Sequence, residues 1–550
     1  MPTVSLTSAT VYAVLGVTTT DITADVLLGV QPMRGSYGIK GAGPLDRVGE
    51  TGTLTFALNN SASNSGGVQG YYTPGHANAR AGWDVGVHLW VVLKYGDINY
   101  VKFNGSVTSI SPDAGQYQRQ AVIVTCTDWM DEAAVSKLKE IAVQEDRRAD
   151  QLITTVVTGS VGRQPKNTSY ATGISTFAYS LDNFKDTQTT VLRALADVTM
   201  SEMGYLYVIG GATTCSDAAL FKGVGGILRF ESRHTRPLTG DPSVTFDETM
   251  VEMKVRRSRQ DLINQTFVTV HPRTLDAAVT TLWELTTTEV VPSVTQASTM
   301  TMIAEFTSKI ITETDYDASS STSARGTQLA STNLTSPVSG TDWVANSASD
   351  GSGSNMTSDV AMTVSVTGAN TAVLQFVNSA SSTAYLTTVQ IRGIALRDNS
   401  ATTLSDKDAT SIAAYGEQDV RINMPYESDT NGGLGIAKWQ NSVNKDIRNT
   451  VPSVAFIGNT SATLMEQSLL REPGDKIGLV ESMPGTLGSG NGFFINGVDW
   501  SLGTGSIFTV RWSLVPADWA IGDRWILAQA GASELGNSGT GAGTTILGFA

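Results

Sequence analysis

The side chains that most often carry acid–base or metal chemistry are few in this sequence and are scattered along it. There are four histidines, although histidine is the commonest acid–base group near neutral pH. No two of them lie four residues apart, and the two cysteines lack the spacing of a zinc-binding pair. The glycine-rich run at residues 223–226 lacks the Lys-Ser/Thr of a phosphate-binding loop. The sequence therefore predicts no catalytic residue, no cofactor and no metal site, and it indicates a protein that is not an enzyme.

Two kinds of carboxylate chemistry are the alternatives to this prediction. The acids Asp315, Asp317, Asp342, Asp350 and Asp359 follow no calcium-loop pattern, and we expect them to be solvated. A pair of carboxylates for glycoside cleavage stays open, because the fold and not the sequence sets its spacing. His88 lies inside an alternating strand pattern, where a half-buried structural role is expected.

One basic cluster stands out, formed by Lys254, Arg256, Arg257 and Arg259 next to a predicted strand. In an acidic chain such a cluster could face an acidic partner surface or a neighbouring subunit. Outward strand positions without a partner are the alternative. The cluster lacks the interleaved aromatic residues that single-stranded nucleic acid would require.

Composition and charge exclude several classes of protein. Charged residues make up 16% of the 550 residues, too few for a coiled coil or a helical repeat. The net charge is −14, which disfavours specific binding to nucleic acid or adhesion to an anionic membrane. No stretch approaches the ~20 apolar residues of a membrane-spanning helix, and the first residues lack the basic start of a secretion signal. Cys126 and Cys215 are expected to be free thiols, which fits folding in a reducing cytoplasm.

The hydrophobic pattern predicts a mainly β protein with α+β parts. Residues 1–130 alternate with period 2 between turn signals, which predicts a first small antiparallel β-barrel. Residues 131–244 contain two helical stripes, at about 131–157 and 186–203, and two strands; they predict an α+β unit in which Gly204 ends the second helix.

The second half of the chain predicts a divided domain. We expect residues 245–304 and 415–520 to form a second small antiparallel β-barrel with helices at 434–449 and 461–471. Residues 305–414 are nearly free of lysine and arginine from about residue 310 to Arg392, yet they alternate well, which predicts an inserted low-charge β-sandwich. Residues 521–550 are expected to be a Gly-rich tail.

The order of short motifs along the chain resembles phage minor tail proteins of the baseplate-hub type. The motifs that carry this resemblance are Thr-Gly-Thr-Leu-Thr-Phe-Ala-Leu-Asn-Asn at 51–60, Tyr-Tyr-Thr-Pro at 71–74, Phe-Asn-Gly-Ser-Val at 103–107, Val-Thr-Cys-Thr-Asp-Trp at 124–129, Glu-Met-Gly at 202–204, Phe-Glu-Ser-Arg at 230–233, Gln-Ile-Arg-Gly at 390–393, Ser-Ile-Ala-Ala-Tyr-Gly at 411–416 and Thr-Thr-Ile-Leu-Gly at 544–548. They span nearly the whole chain. The loop around Cys215 is longer than the tight turn that the family pattern leads us to expect.

The resemblance implies a structural role in the virion tail, after assembly in the host cytoplasm. Hub proteins of this type look like homotrimers that give two barrels per subunit to a ring, so that six barrels meet a six-fold tail tube or distal tail protein. The implied further partners are the tape measure protein and a three-fold tip or fibre protein, with a channel for DNA ejection. An acidic channel would let DNA pass without binding it.

Two other functions stay open. A receptor- or carbohydrate-binding tail protein would use the 305–414 sandwich, with Trp343, Tyr316 and Tyr385 as candidate stacking residues, although a core position is equally natural for each. A cell-wall hydrolase is the third candidate, and it lacks any catalytic constellation in the sequence.

Overall fold

The computed structural model describes most of the chain. The described residues are 4–113, 119–139, 141, 143–182, 189–211, 226–237, 240–247, 249–285, 290–306, 334–366, 370–481, 487 and 492–519. Strands make up 44% and helices 18% of the described residues, so the mainly β class is confirmed. The predictions about Asp315, Asp317, Tyr316, Cys215 and the tail 521–550 lie outside the described residues.

The first 130 residues form strands, as their period-2 pattern predicts. These strands are β1 (Ser8–Leu15), β2 (Thr18–Asp21), β3 (Met33–Gly38), β4 (Thr53–Asn59), β5 (His88–Tyr95), β6 (Ile98–Pro112) and β7 (Ala121–Thr127). Cys126 on β7 is a buried free thiol, as expected.

The next segment contains three helices and five strands. They are α1 (Trp129–Val135), β8 (Gln144–Arg148), α2 (Ala149–Ser160), β9 (Asn167–Tyr170), β10 (Thr176–Ser180), α3 (Val191–Glu202), β11 (Tyr205–Ile209) and β12 (Ile227–Glu231). The prediction of one helix over 131–157 was wrong, because β8 pairs with β10 and divides it. The left-handed residue that ends α3 is Met203, with φ of 56°, rather than Gly204. Gly204 is needed for a different reason, since a Cβ there would lie 2.5 Å from the Glu231 carbonyl oxygen.

The remaining elements follow in chain order. They are β13 (Val244–Asp247), β14 (Glu252–Arg256), β15 (Gln265–Val270), β16 (Arg273–Leu275), β17 (Thr280–Glu284), β18 (Ser293–Val294), β19 (Thr299–Glu305), β20 (Trp343–Asn346), β21 (Val360–Val366), β22 (Thr371–Asn378), β23 (Ala384–Gly393), β24 (Leu396–Asp398), β25 (Thr402–Lys407), α4 (Ala409–Tyr415), β26 (Asp419–Met424), α5 (Thr430–Asn444), β27 (Thr450–Ile457), α6 (Ala462–Leu470), β28 (Lys476–Val480), β29 (Phe493–Leu502) and β30 (Phe508–Pro516). β29 and β30 form a hairpin across residues 503–505, in which Leu502 pairs with Phe508.

One large sheet contains β1 to β7 of the first predicted barrel and β14 and β27 to β30 of the second, whereas β15 to β19 and β26 of the second lie in smaller sheets. Its 13 strands run in the order β14-β27-β30-β29-β3-β4-β7-β6-β5-β1-β2, with β13 paired to β28 and β28 to β29. The join is the antiparallel pairing of β3 with β29, from Leu502 opposite Met33 to Gly497 opposite Gly38. The described strands therefore show a continuous sheet and no closed barrel. Alternation in a sequence fixes which face of a strand is buried, but it does not fix the neighbouring strand.

The apolar face of this sheet covers the main hydrophobic core. Phe246, Phe456 and Trp512 meet there with ring centroids 4.5–5.6 Å apart. A second core lies between α1, α2, α3 and the sheet β11-β12-β9. These two cores share a wall, because β11 packs on β3 and β6.

Buried charges join parts of the chain that are far apart in sequence. Lys102 on β6 forms a salt bridge of 2.6 Å with Glu472, and their side chains are 0% and 6% exposed. Arg236 donates to Glu231 at 2.8 Å and to the Asn496 side-chain oxygen at 2.6 Å. Removing one partner of an ion pair that is buried this deeply strongly destabilises the folded protein. The bond from Arg236 to Asn496 joins the α+β segment to β29, and the pair of Lys102 and Glu472 joins β6 to the segment after α6.

A separate two-sheet unit holds the low-charge segment. The sheet β19-β22-β21 packs against β23 with its neighbours β17, β18 and β20 around one hydrophobic core. Strands from residues 280–305 therefore share this core with strands from 343–393. Trp343 is 7% exposed, and its indole N–H donates to the Val360 carbonyl at 2.9 Å.

Candidate assembly face of the large sheet

One row of directly opposed residues crosses nine strands of the large sheet. In order it consists of Glu252, Ala455, Arg511, Asp499, Ser36, Thr53, Thr127, Ser106 and His88. The row runs from β14 to β5. Strands from both ends of the chain therefore present one shared surface.

This surface is polar and the opposite surface is apolar, because successive side chains of a strand point to opposite faces. The adjacent row on the same surface contains Thr509, Ser501, Arg34, Thr55, Thr125 and Ser109. Hydroxyl groups pair across it, as between Ser36 and Thr53 at 3.0 Å. We call these two rows the polar face.

The polar face contains few charges, and they nearly balance. Arg511 on β30 pairs with Glu252. Asp499 lies on β29, the strand next to β30, and Arg34 lies on β3, the strand after that. Partial burial raises the pKa of Asp499. Arg511, Asp499 and Arg34 line a cleft of about 530 Å³ that spans β4, β3, β29 and β30 and reaches Ala455 on β27. Gly35 lies at the base of this cleft. The Trp500 indole packs directly against it, since a Cβ at this position would lie 2.4 Å from the ring.

The predicted basic cluster lies at one end of this sheet. Lys254 and Arg256 are on β14, the first strand of the sheet order, and Arg257 and Arg259 follow it. All four are exposed. Arg256 pairs with Asp261, and the β14–β27 register is irregular between Lys254 and Arg256. The structure thus brings the four residues together on a sheet edge. Charged side chains and a bulge at the edge of a sheet also prevent that edge from pairing with strands of other molecules.

Sequence reasoning missed a second polar site, a cleft of about 270 Å³ at the far end of the polar face. His88, Ser106 and Thr127 form one wall, Asp128 and Trp129 a second, and residues 163–166 a third. His88 was interpreted as structural, and it is half-buried in β5 as that interpretation requires. The sequence signal nearest to this cleft is the Thr-Asp-Trp motif at 127–129. In the sequence analysis this motif indicates the family resemblance and not a site.

Asp128 is an unusual group within that cleft. It is 5% exposed, and its Oδ1 accepts from the Met130 backbone at 3.0 Å as the cap of α1. Its Oδ2 is shielded from solvent and lies against Gly52, where a Cβ would come within 2.3 Å of it. Burial is the main reason that the pKa of Asp128 rises to about 7.

We expect the Asp128→Asn variant to lose part of the pH dependence of stability. The native pKa of about 7 lies above the ordinary 3.8. Between these two pKa values the native state keeps a proton that the unfolded chain has lost. The free energy of unfolding therefore falls as the pH rises from 3.8 to about 7. Asparagine keeps the capping oxygen and carries no charge, so the variant should gain on the order of 3 kcal/mol relative to the parent between pH 4 and pH 8.

Urea unfolding of both proteins across this pH range measures the gain. The matched control is Asp131→Asn, whose carboxylate is only partly buried and accepts from Thr127 at 3.1 Å. Parallel pH profiles for the Asp128→Asn variant and the parent would contradict the prediction.

The described part of the two-sheet unit does not favour the carbohydrate-binding alternative. Trp343 is buried with its N–H bonded, so it offers no stacking face. Tyr385 is half-buried on β23. Among the described residues there is no group of three or more histidine, cysteine or acidic side chains that could hold a metal ion. None of the described helices is long and apolar enough to cross a membrane.

Comparisons by sequence and by structure give different results. No family model and no curated protein matches the sequence. Among solved structures, the chain is similar to the 43 kDa tail protein of prophage MuSo2 from Shewanella oneidensis, with 9% identity, a TM-score of 0.45 and coverage of 93% of this chain and 99% of that one. It is also similar to a tail protein from Neisseria meningitidis MC58, with 8% identity, a TM-score of 0.44 and coverage of 92% and 95%.

A third solved structure is the prophage tail protein gp18 from Listeria monocytogenes EGD-e, with 8% identity, a TM-score of 0.41 and coverage of 92% and 94%. The chain is similar to prophage tail proteins in structure over about nine tenths of its length, which is the resemblance that its sequence motifs indicated.

Proposed function

We propose that this chain is a structural component of a bacteriophage tail tip or baseplate, in which three copies form a hub ring around a channel for DNA. The observation that carries the proposal is the continuous sheet, in which strands from both ends of the chain share one polar face. The ordered motifs of the sequence support the same role. The role is structural and not enzymatic.

In this proposal each copy gives two similar halves to the ring. The first half is residues 1–130, and the second combines residues 245–304 with 415–520, apart from β17, β18 and β19, which belong to the two-sheet unit. Three copies then present six halves to a six-fold tail tube or distal tail protein and keep three-fold symmetry for a tip or fibre protein. The tape measure protein is the further expected partner. The 131–244 unit, the 305–414 sandwich and the 521–550 tail lie outside these halves.

The polar face supports a channel lining that does not retain DNA. Its two rows consist mainly of serine and threonine, and Arg511 pairs with Glu252. Each phosphate that a protein neutralises adds salt-dependent affinity, and a face with few free cations neutralises few phosphates. The sequence led us to expect an acidic channel, but this face is close to neutral. In the proposal DNA binds it weakly because the face consists of hydroxyl groups and balanced charges.

The open edges of the sheet support a head-to-tail contact between copies. β14 is paired on one side only, by β27. Beyond Ser106, β6 pairs with β7 but no longer with β5. Two different edges on one subunit suit a heterologous interface, which closes into a ring when the rotation allows it. The basic cluster at β14 would then face the neighbouring copy.

Native mass measurement and negative-stain microscopy test this function. The purified chain should have the mass of three copies and appear as a ring with a central hole. Antibody labelling of phage particles should mark the tail tip. A monomer both in solution and on the particle, or label on the capsid, would contradict the proposal.

A further inference from the structure

One sheet of the two-sheet unit ends in two open edges. Its order is β19-β22-β21, and each outer strand pairs only with β22 among the described strands. Both outer strands are seven residues long and pair with β22 in an unbroken register. Both run antiparallel to β22, so they are parallel to each other. One subunit therefore carries two different strand edges on opposite sides of this sheet.

The backbone of β21 has hydrogen-bonding groups at its open edge. Successive residues of an antiparallel strand direct their backbone groups alternately towards and away from the partner strand. Ser379 donates to the Asp359 carbonyl at 2.9 Å, which places residues 361, 363 and 365 on the β22 side. Met362 and Val364 therefore direct their N–H and carbonyl groups away from β22. The Val360 carbonyl accepts from an indole N–H, so the open part of the edge begins after it.

The backbone of β19 has the same property on the other side of the sheet. Phe306, directly after β19, donates to the Asn370 carbonyl at 2.7 Å, so the even-numbered residues of β19 bond to β22. Thr301 and Ile303 therefore direct their backbone groups to the open edge. The Ile303 side chain is 66% exposed beside it. A strand placed there would bond to the backbone groups and cover this apolar side chain.

Neither edge carries the features that keep sheet edges from pairing. Proteins protect edge strands with lysine, proline or a bulge. The described residues between 290 and 391 include no lysine or arginine, and β19 and β21 contain no proline and no bulge. The exposed side chains of β21 are those of Ala361, Thr363 and Ser365, which are small and uncharged. Both edges are therefore suited to pairing with another strand.

We propose that β21 of one copy pairs with β19 of the next copy, so that the two-sheet units form a second contact within the ring. This inference rests on the proposed three-fold assembly. Rotation about a three-fold axis brings unlike edges together, whereas pairing of β21 with β21 needs a two-fold axis, which a ring of three copies lacks. Since β19 and β21 are parallel within one sheet, the joined strands are parallel when they lie along the ring axis.

Hydrogen exchange of the full chain tests this contact, because it reports on the outward amides separately from the number of copies. In the monomer obtained by dilution, the Met362 and Val364 amides should exchange freely, while those bonded to β22 stay slow. In the trimer the two outward amides should exchange about tenfold more slowly or less. Mass spectrometry of the peptide that covers β21 measures this, and native mass measurement of the same samples gives the number of copies.

Proline at an outward position removes a donor to the neighbouring copy and leaves the bonds to β22 in place. Val364→Pro on β21 and Ile303→Pro on β19 should each remove the added protection of the Met362 amide. The matched control is Gln375→Lys, which places a charge on the exposed face of the central strand β22, opposite Thr363, and should keep that protection. Urea unfolding shows whether each variant is folded.

The outcomes separate this contact from the ring itself. A chain that is monomeric at every concentration would refute the proposed ring and this contact together. A trimer whose outward β21 amides exchange as fast as those of the monomer would refute this contact alone. Full protection already in the monomer would assign the edge to a segment of the same chain, and protection in a dimer would assign it to a two-fold contact; either result would overturn the proposal.

Discussion

The Lys102→Met variant should lose about 3–5 kcal/mol of stability, the range for one partner removed from a buried ion pair. Lys102 is fully buried; its Nζ donates to Glu472 Oε1 at 2.6 Å and to the Leu469 carbonyl at 3.0 Å. Methionine fills similar volume but leaves the Glu472 charge without a cation. The loss should also weaken the join between β6 and the segment after α6.

A pH series separates this mechanism from lost packing. Burial already raises the pKa of Glu472, and Lys102 opposes that rise. Without Lys102 the carboxyl favours its neutral form more strongly, so the loss of stability should shrink as the pH falls towards 4. Urea unfolding followed by tryptophan fluorescence measures it, because the Trp500 indole donates to the Lys102 carbonyl at 3.2 Å.

Two further variants complete this test. Lys102→Met/Glu472→Leu removes both charges and should recover much of the loss, because buried pairs replaced by apolar residues are often no less stable. Lys445→Met is the matched control, since it breaks the partly exposed pair of Lys445 and Asp408 at 3.0 Å and should change stability little. An equal loss in the Lys102 and Lys445 variants would refute the assignment.

Local features of the fold were predictable from the sequence. The hairpin of β29 and β30, the helix α6 after its Ser461 cap and the buried Cys126 depend on alternation and capping within a few residues. The pairing of β3 with β29 was not predictable, because it joins residues far apart in sequence and alternation does not name a neighbour. The break between α1 and α2 was missed because β8 is charged and takes its structure from β10.

The sites divide in the same way. The basic cluster was visible as a run of like charge, and the structure adds that it lies on a sheet edge. The cleft with His88 and Asp128 was invisible, because its walls come from β5, β7 and residues 163–166. Buried charges such as Lys102 carry no sequence signal either, since a lysine usually indicates an exposed position.

Charge reversal at the sheet edge should convert the proposed trimer to monomer. Lys254→Glu/Arg257→Glu leaves the Arg256–Asp261 pair intact and reverses two exposed charges beside β14. If this edge faces a neighbouring copy of an acidic chain, like charges then oppose each other across the contact and association is lost. Native mass measurement at low and high salt should show a monomer that partly reassociates as salt screens the repulsion.

The competing interpretation is that the cluster only protects the edge, and the same variants separate the two. A protective edge tolerates charge of either sign, so the reversed variant would keep the parent's mass. Lys254→Val/Arg257→Val would then aggregate, because an apolar edge strand pairs without control. Lys407→Glu/Arg421→Glu reverses two exposed charges on another sheet and should not change the mass. A trimer that survives reversal at β14 while the valine variant aggregates would assign the cluster to edge protection and remove it from the subunit contact.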